Sequence, residues 1–161
     1  MILIVVHLIG TIIGVGGATM IEVVLNKSLQ DGTVSPDEHE ILKPTYLVVR
    51  VGLVLALVSG FGFLIIYKFM GATAELYNPV LWAKIVIILM ILVNTLLLQA
   101  KKISLYWGSA ISFSSWWMAA ILGIFLSNNI SSSFWGIIVV YIVATVISAY
   151  VLHIIRKSLN N

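Results

Sequence analysis

Five ionisable residues stand inside long apolar runs of this chain: His7, Glu22, Arg50, Lys84 and His153. Charged or titratable groups are costly to hold in such runs, so each needs a functional or a structural reason. An imidazole can ligate a metal or carry a proton, and an amine can pair with an anion. A carboxylate beside a guanidinium can be a structural ion pair, a proton path or a substrate gate. Depth sorts the five into two layers. His7 lies a few residues into the first run, and Lys84 a few residues into the run that opens at Pro79. At the rise of a helix both sit roughly 8–10 Å below one face, where they can meet. Glu22 is about 22 Å deeper than His7, in a layer it shares with Arg50 and His153. His7 and His153 then differ in depth by about 20 Å, too far for both to ligate one iron, which excludes a bis-histidine haem within one subunit.

Small residues surround the first histidine. Gly10, Gly14 and Gly17 share a helical face with His7. A strip of this kind has two uses: it lets a second helix approach closely, or it clears room beside the imidazole for a flat macrocycle. Gly108, Ser112, Ser115, Ala119 and Gly123 form a second small row, read as helix packing with the serines bonded across helices or back to their own backbone. Trp82, Trp107 and Trp135 fall near the ends of apolar runs, as an interfacial belt requires. Trp116 and Trp117 fall mid-run, where an indole N–H needs a partner; they pack between helices or wall a ligand. Lys84 either takes part in a site or extends to the nearer headgroups. Asn94 and Thr95 read as interhelical hydrogen bonds.

Several chemistries are excluded. With no cysteine there is no disulfide, thiolate metal site or thiol nucleophile. His7 has no acid at its depth, and Ser148 lies on a different face from His153, so no serine-nucleophile constellation forms. No HExxH pattern is present. Asp37, Glu38, His39 and Glu40 point in different directions on a short helix and make a poor cation site, with His39 a solvated residue. The glycines of 14–17 are followed by no GK[ST] and are not a phosphate loop. The Lys and Arg residues are scattered, which excludes a nucleic-acid stripe.

These residues are held by a chain of 161 residues that is 61% hydrophobic and 9% charged, with a mean hydropathy of +1.12. A soluble domain has roughly 45–50% apolar and about 25% charged residues, so a soluble fold is excluded. Five runs, at 1–26, 45–69, 79–100, 104–126 and 133–155, are long enough to cross a bilayer. The fold class expected is an all-α, five-helix membrane bundle forming a single domain. Asn78-Pro79 caps the third span, and Ser131 to Ser133 offer caps for the fifth. The 27–44 connection is read as a cytoplasmic loop with a short surface helix: Ser35-Pro36-Asp37-Glu38 starts it with a capping box and Pro44 ends it. The first run lacks a basic n-region and a small-residue cleavage site, so it reads as a span and not a removable signal. Lys27, Lys43, Arg50, Lys101, Lys102, Arg156 and Lys157 collect at one side and only Lys68 and Lys84 at the other. The basic side is cytoplasmic by the positive-inside rule, placing the N-terminus outside and the C-terminus inside.

A sequence pattern sharpens the reading. His7 to Gly17 (HLIGTIIGVGG), Val58-Ser59-Gly60, and Leu81-Trp82-Ala83-Lys84 leading to Asn94 resemble the group of small bacterial membrane proteins around HemJ-type protoporphyrinogen oxidase and the copper-resistance CopD-like domain, over about residues 1–100. The resemblance implies a b-type haem or another porphyrin between the first and third spans, with His7 on the iron and Lys84 beside it. It also implies electron transfer or porphyrin redox chemistry in a bacterial cytoplasmic membrane. The pattern departs from the group in lacking the aromatic and basic residues after the first histidine, in lacking a later histidine at the end of the third span, and in its fifth span. A rival reading from another class is a cofactor-free transporter or channel subunit using Glu22, Arg50 and His153 as a polar relay. A third is a purely structural subunit of a larger membrane complex. Five helices enclose little interior, so homo-oligomerisation or membership of a membrane complex is expected under any of these readings, with the lipid bilayer as the common partner.

Overall fold

A computed structural model describes residues 1–28 and 35–159, without the side chains of 38, 39 and 156–159. The described residues are helical, with no strand among them. The helices are α1 (Ile2–Ser28), α2 (Pro36–Phe69), α3 (Thr73–Leu76), α4 (Pro79–Gln99), α5 (Leu105–Ser127) and α6 (Phe134–Leu159). Five stretches are long and apolar enough to cross a membrane: Ile2–Ser28, Glu40–Phe69, Pro79–Gln99, Leu105–Ser127 and Phe134–Ile155. The protein is an all-α integral membrane bundle with apolar outer faces suited to lipid.

Local chemistry sets the helix ends. Asn78 accepts from the Val80 N–H at 2.9 Å, and Pro79, which has no N–H to satisfy, opens α4. Ser104 caps α5 through the Trp107 N–H at 3.4 Å. Three helices end in a residue of the left-handed region: Gly71 (φ 67°), Lys101 (φ 54°) and Asn129 (φ 53°). In each case the next N–H reaches back to a carbonyl of the last turn, as from Lys102 to Leu97 at 2.9 Å and from Ile130 to Phe125 at 2.9 Å.

The connection before the second span differs from expectation. Pro44 does not end a separate surface helix; α2 continues through it. Proline deletes one backbone bond, but Leu42, in the preceding turn, is buried at 2% exposure in a core with Leu25 and Val49, so tertiary packing holds the helix together across it. Thr45 donates its hydroxyl to the Ile41 carbonyl beside the break at 3.0 Å. The expected loop at 29–34, the Glu38 arm of the capping box and the His39 side chain lie outside the described residues.

The helices associate as two pairs, α1 with α2 and α4 with α5, joined mainly through α1 and α5, while α6 packs on α5 and α4. Glycine permits the first pairing. A Cβ on Gly52 would lie 2.8 Å from the Gly14 nitrogen and 2.9 Å from the Gly10 oxygen, so the two backbones touch. The six-membered ring of Trp116, from α5, sits directly on Gly14. One core, including Ile21, Leu25, Leu53, Ile91 and Trp116, fills the Glu22 half of the bundle. Another, including Ile87, Met118, Leu122 and Tyr141, joins α4, α5 and α6.

Candidate functional site

Towards the N-terminal end of α1 the two pairs part, and a cleft of about 470 Å³ lies between them, lined from α1, α2, α4 and α5. Its wall is mainly apolar, with Leu57, Phe61 and Leu64 of α2 and Leu81, Ile85 and Leu89 of α4 among its residues. The polar feature of this wall is a short chain of hydrogen-bonding groups. His7 Nδ1 lies 2.8 Å from Ser59 Oγ, and Lys84 Nζ lies 3.3 Å from His7 Nε2. Ser59 is fully buried, and its hydroxyl donates to the Leu55 carbonyl at 2.5 Å, with the Ala56 carbonyl at 3.2 Å. Phe63 meets the imidazole edge to face at 5.6 Å between ring centroids, and Tyr67 stacks on Phe63 at 6.3 Å.

His7 and Lys84 are therefore adjacent, on helices that are 77 residues apart in sequence. Lys84 reaches across the bundle to the imidazole. Two glycines keep this region open: a Cβ on Gly123 would lie 3.1 Å from Lys84 Nζ, and one on Gly60 would lie 3.9 Å from His7 Cε1.

The glycine strip on α1 has a different place. Gly10, Gly14 and Gly17 are buried and face, respectively, the backbone of α2, the Trp116 ring and Val49. Of the two uses weighed for that strip, the structure fills it with helix contact, and none of the three glycines lines the cleft. The second small row divides in the same way. Ser115 bonds to the Ile111 carbonyl and to Tyr141 OH at 2.8 Å, whereas Gly123 faces the cleft.

The residues of the second layer stand on three helices. Glu22 is buried on α1 at 3% exposure, Arg50 is exposed on α2, and His153 is exposed on α6, edge-on to Tyr106 at 6.1 Å. Among the described residues no ion pair joins the three. Trp117 is exposed and donates its indole N–H to Thr19 at 3.2 Å, while Trp116 is buried with no bond to its N–H among the described residues. Asn94 donates to the Gly108 carbonyl at 2.8 Å, an interhelical bond between α4 and α5.

Reasoning from charge and depth passes over Phe63 and Tyr67, and Gly123 reads from spacing as helix packing. It also gives no role to Ser59, although a lone hydroxyl in the run Val54–Leu64 was a visible signal: a buried hydroxyl in an apolar span needs a partner, and His7 is one of few available.

Among the described residues no three His, Cys, Asp or Glu side chains cluster as a metal site. The fold and cleft define a class: a membrane-embedded helical bundle with a largely apolar lateral site bearing one imidazole and one amine. Comparison with known protein families, with curated proteins and with solved structures finds no match.

Proposed function

We propose that this protein binds a flat tetrapyrrole, a b-type haem or a related porphyrin, in the cleft between the α1–α2 and α4–α5 pairs. His7 Nε2 would hold the iron, and Lys84 would pair with a propionate or bind the iron as well. The observation that carries the reading is an imidazole nitrogen on the wall of a largely apolar cleft of about 470 Å³, within the roughly 300–1,000 Å³ typical of ligand pockets. The donor set supports a macrocycle over a bare ion. A bare ion needs several side-chain ligands, whereas a porphyrin brings four nitrogens and asks the protein for one or two. The flexible four-carbon stem of Lys84 would let its amine pair with a carboxylate of the bound group.

A bound haem supplies one-electron chemistry. The chain contributes the ligand, a low-dielectric wall and a cation near the porphyrin edge, which places it in electron transfer or porphyrin redox chemistry. The uneven Lys and Arg count supports an N-terminus outside, and the resemblance to small bacterial membrane proteins supports a bacterial cytoplasmic membrane as its setting. The extensive apolar faces that lipid covers also suit a second copy or a larger membrane complex.

The test is an absorption spectrum of protein purified from haem-replete cells. A Soret band is expected that disappears in His7→Ala and persists in His153→Ala. A colourless wild-type protein, or a band indifferent to His7, overturns the reading.

A further inference from the structure

We propose that Ser59 is a positioning residue that fixes the tautomer of His7, keeping the proton on Nδ1 and the free lone pair on Nε2, at the cleft. A serine hydroxyl has one proton. Its oxygen lies 2.5 Å from the Leu55 carbonyl and 3.2 Å from the Ala56 carbonyl, and neither carbonyl can donate. The serine proton must stand between these oxygens, because two oxygens so close with no hydrogen between them repel. Oγ, its proton committed, can only accept from His7, so the hydrogen in the 2.8 Å contact belongs to Nδ1.

The other side of the ring agrees. Lys84 Nζ is 3.3 Å from Nε2, and an ammonium has donors but no acceptor. A proton on Nε2 would face those donors, whereas a lone pair there receives one. The opposite tautomer would break favourable contacts at both ring nitrogens.

The inference deepens the proposed function by giving the site a polarity. At the imidazole the cleft presents an acceptor, Nε2, beside a donor, Nζ. This selects a ligand with an electron-accepting centre next to an anionic or acceptor group, which describes a metallated porphyrin with its carboxylates. A hydrogen bond from the non-ligating nitrogen also fixes ring orientation and raises ligand basicity. The inference relies on the haem reading for its purpose, but not for its geometry.

The experiment uses haem-free protein in lipid with His39 and His153 replaced by Gln, so that only His7 carries the ¹⁵N imidazole signal. Nδ1 is expected at the protonated, pyrrole-type shift and Nε2 at the unprotonated, pyridine-type shift. Ser59→Ala is expected to weaken that preference, moving the two shifts toward each other, and Ser59→Thr, which keeps the hydroxyl, to restore it. An unprotonated Nδ1 in wild-type Ser59 protein overturns the inference, and this result needs no Ser59 variant to fold. An unchanged spectrum in Ser59→Ala overturns it as well. Colourless protein that still shows a protonated Nδ1 removes the haem reading and leaves the Ser59 assignment standing. Where haem binds, Ser59→Ala is expected to weaken it by roughly ten- to a hundredfold, the usual effect of removing a hydrogen bond behind a ligand.

Discussion

Gly14 and Gly16 are two residues apart on α1, and the same substitution at each is expected to change stability in opposite directions. Gly14→Ala puts a methyl group inside the Trp116 ring, which is 2% exposed and held on α5 between packed helices. The ring is buried and has little room in which to yield. Overpacking of this kind costs about 1–3 kcal/mol. Against it stands the gain of alanine over glycine in a helix, up to about 1 kcal/mol. With Trp116 pinned, the upper part of the first range applies, for a net loss of about 2 kcal/mol. Gly16 has no neighbour within 4 Å, so Gly16→Ala is expected to gain up to about 1 kcal/mol. The two variants should differ by about 3 kcal/mol, more than a hundredfold in the folding equilibrium.

Reversible unfolding in mixed detergent micelles, followed by helical circular dichroism, measures that difference. Combining Gly14→Ala with Trp116→Leu should recover part of the loss, since residues in contact couple by about 0.5–3 kcal/mol. Equal stabilities for Gly14→Ala and Gly16→Ala, or strict additivity with Trp116→Leu, would show that the α1–α5 joint does not rest on this contact.

Pro44→Ala should stabilise α2 by up to about 3 kcal/mol, the difference between the two residues in a helix interior, seen as slower amide exchange around residues 41–48; unchanged exchange would refute a helix running through Pro44. Lys101→Gly should add about 1 kcal/mol by relieving a left-handed backbone on a residue with a Cβ, read as a higher unfolding midpoint. Tyr141→Phe removes the hydroxyl that bonds Ser115 at 2.8 Å and should cost about 0.6 kcal/mol and at most about 1.7, the range for such bonds within membranes. A cost of several kcal/mol would mean that the pair does more than join α5 to α6.

The bilayer fold was legible in the sequence because a membrane imposes it: every apolar run long enough to span must satisfy its own backbone, and a helix does so. The cap at Asn78 was equally legible, being a local matter of one side chain and the N–H two residues on. Pro44 was misread because the sequence shows a helix breaker but not Leu42 buried against another helix, and the tertiary term decides there. At the site, depth arithmetic brought His7 and Lys84 to one level. It could not say that Arg50 faces outward, since depth fixes height along a helix and leaves rotation about the axis open.

Rotation also explains the two uses of small residues in this bundle. Gly10, Gly14 and Gly17 follow His7 on one helical stripe, yet they meet the α2 backbone, Trp116 and Val49, so their lack of side chains closes space. Gly60 and Gly123, on different helices, face the imidazole and the amine, so their lack of side chains leaves space. The sequence shows the same residue type in both cases, and only the neighbour across the gap decides which role it plays. Closure at Gly14 and Gly52 brings α1 against α2 and holds His7 within 2.8 Å of Ser59. The cleft then owes its polar wall to the tight joint below it: loosening that joint would move the imidazole of that wall away from its hydroxyl.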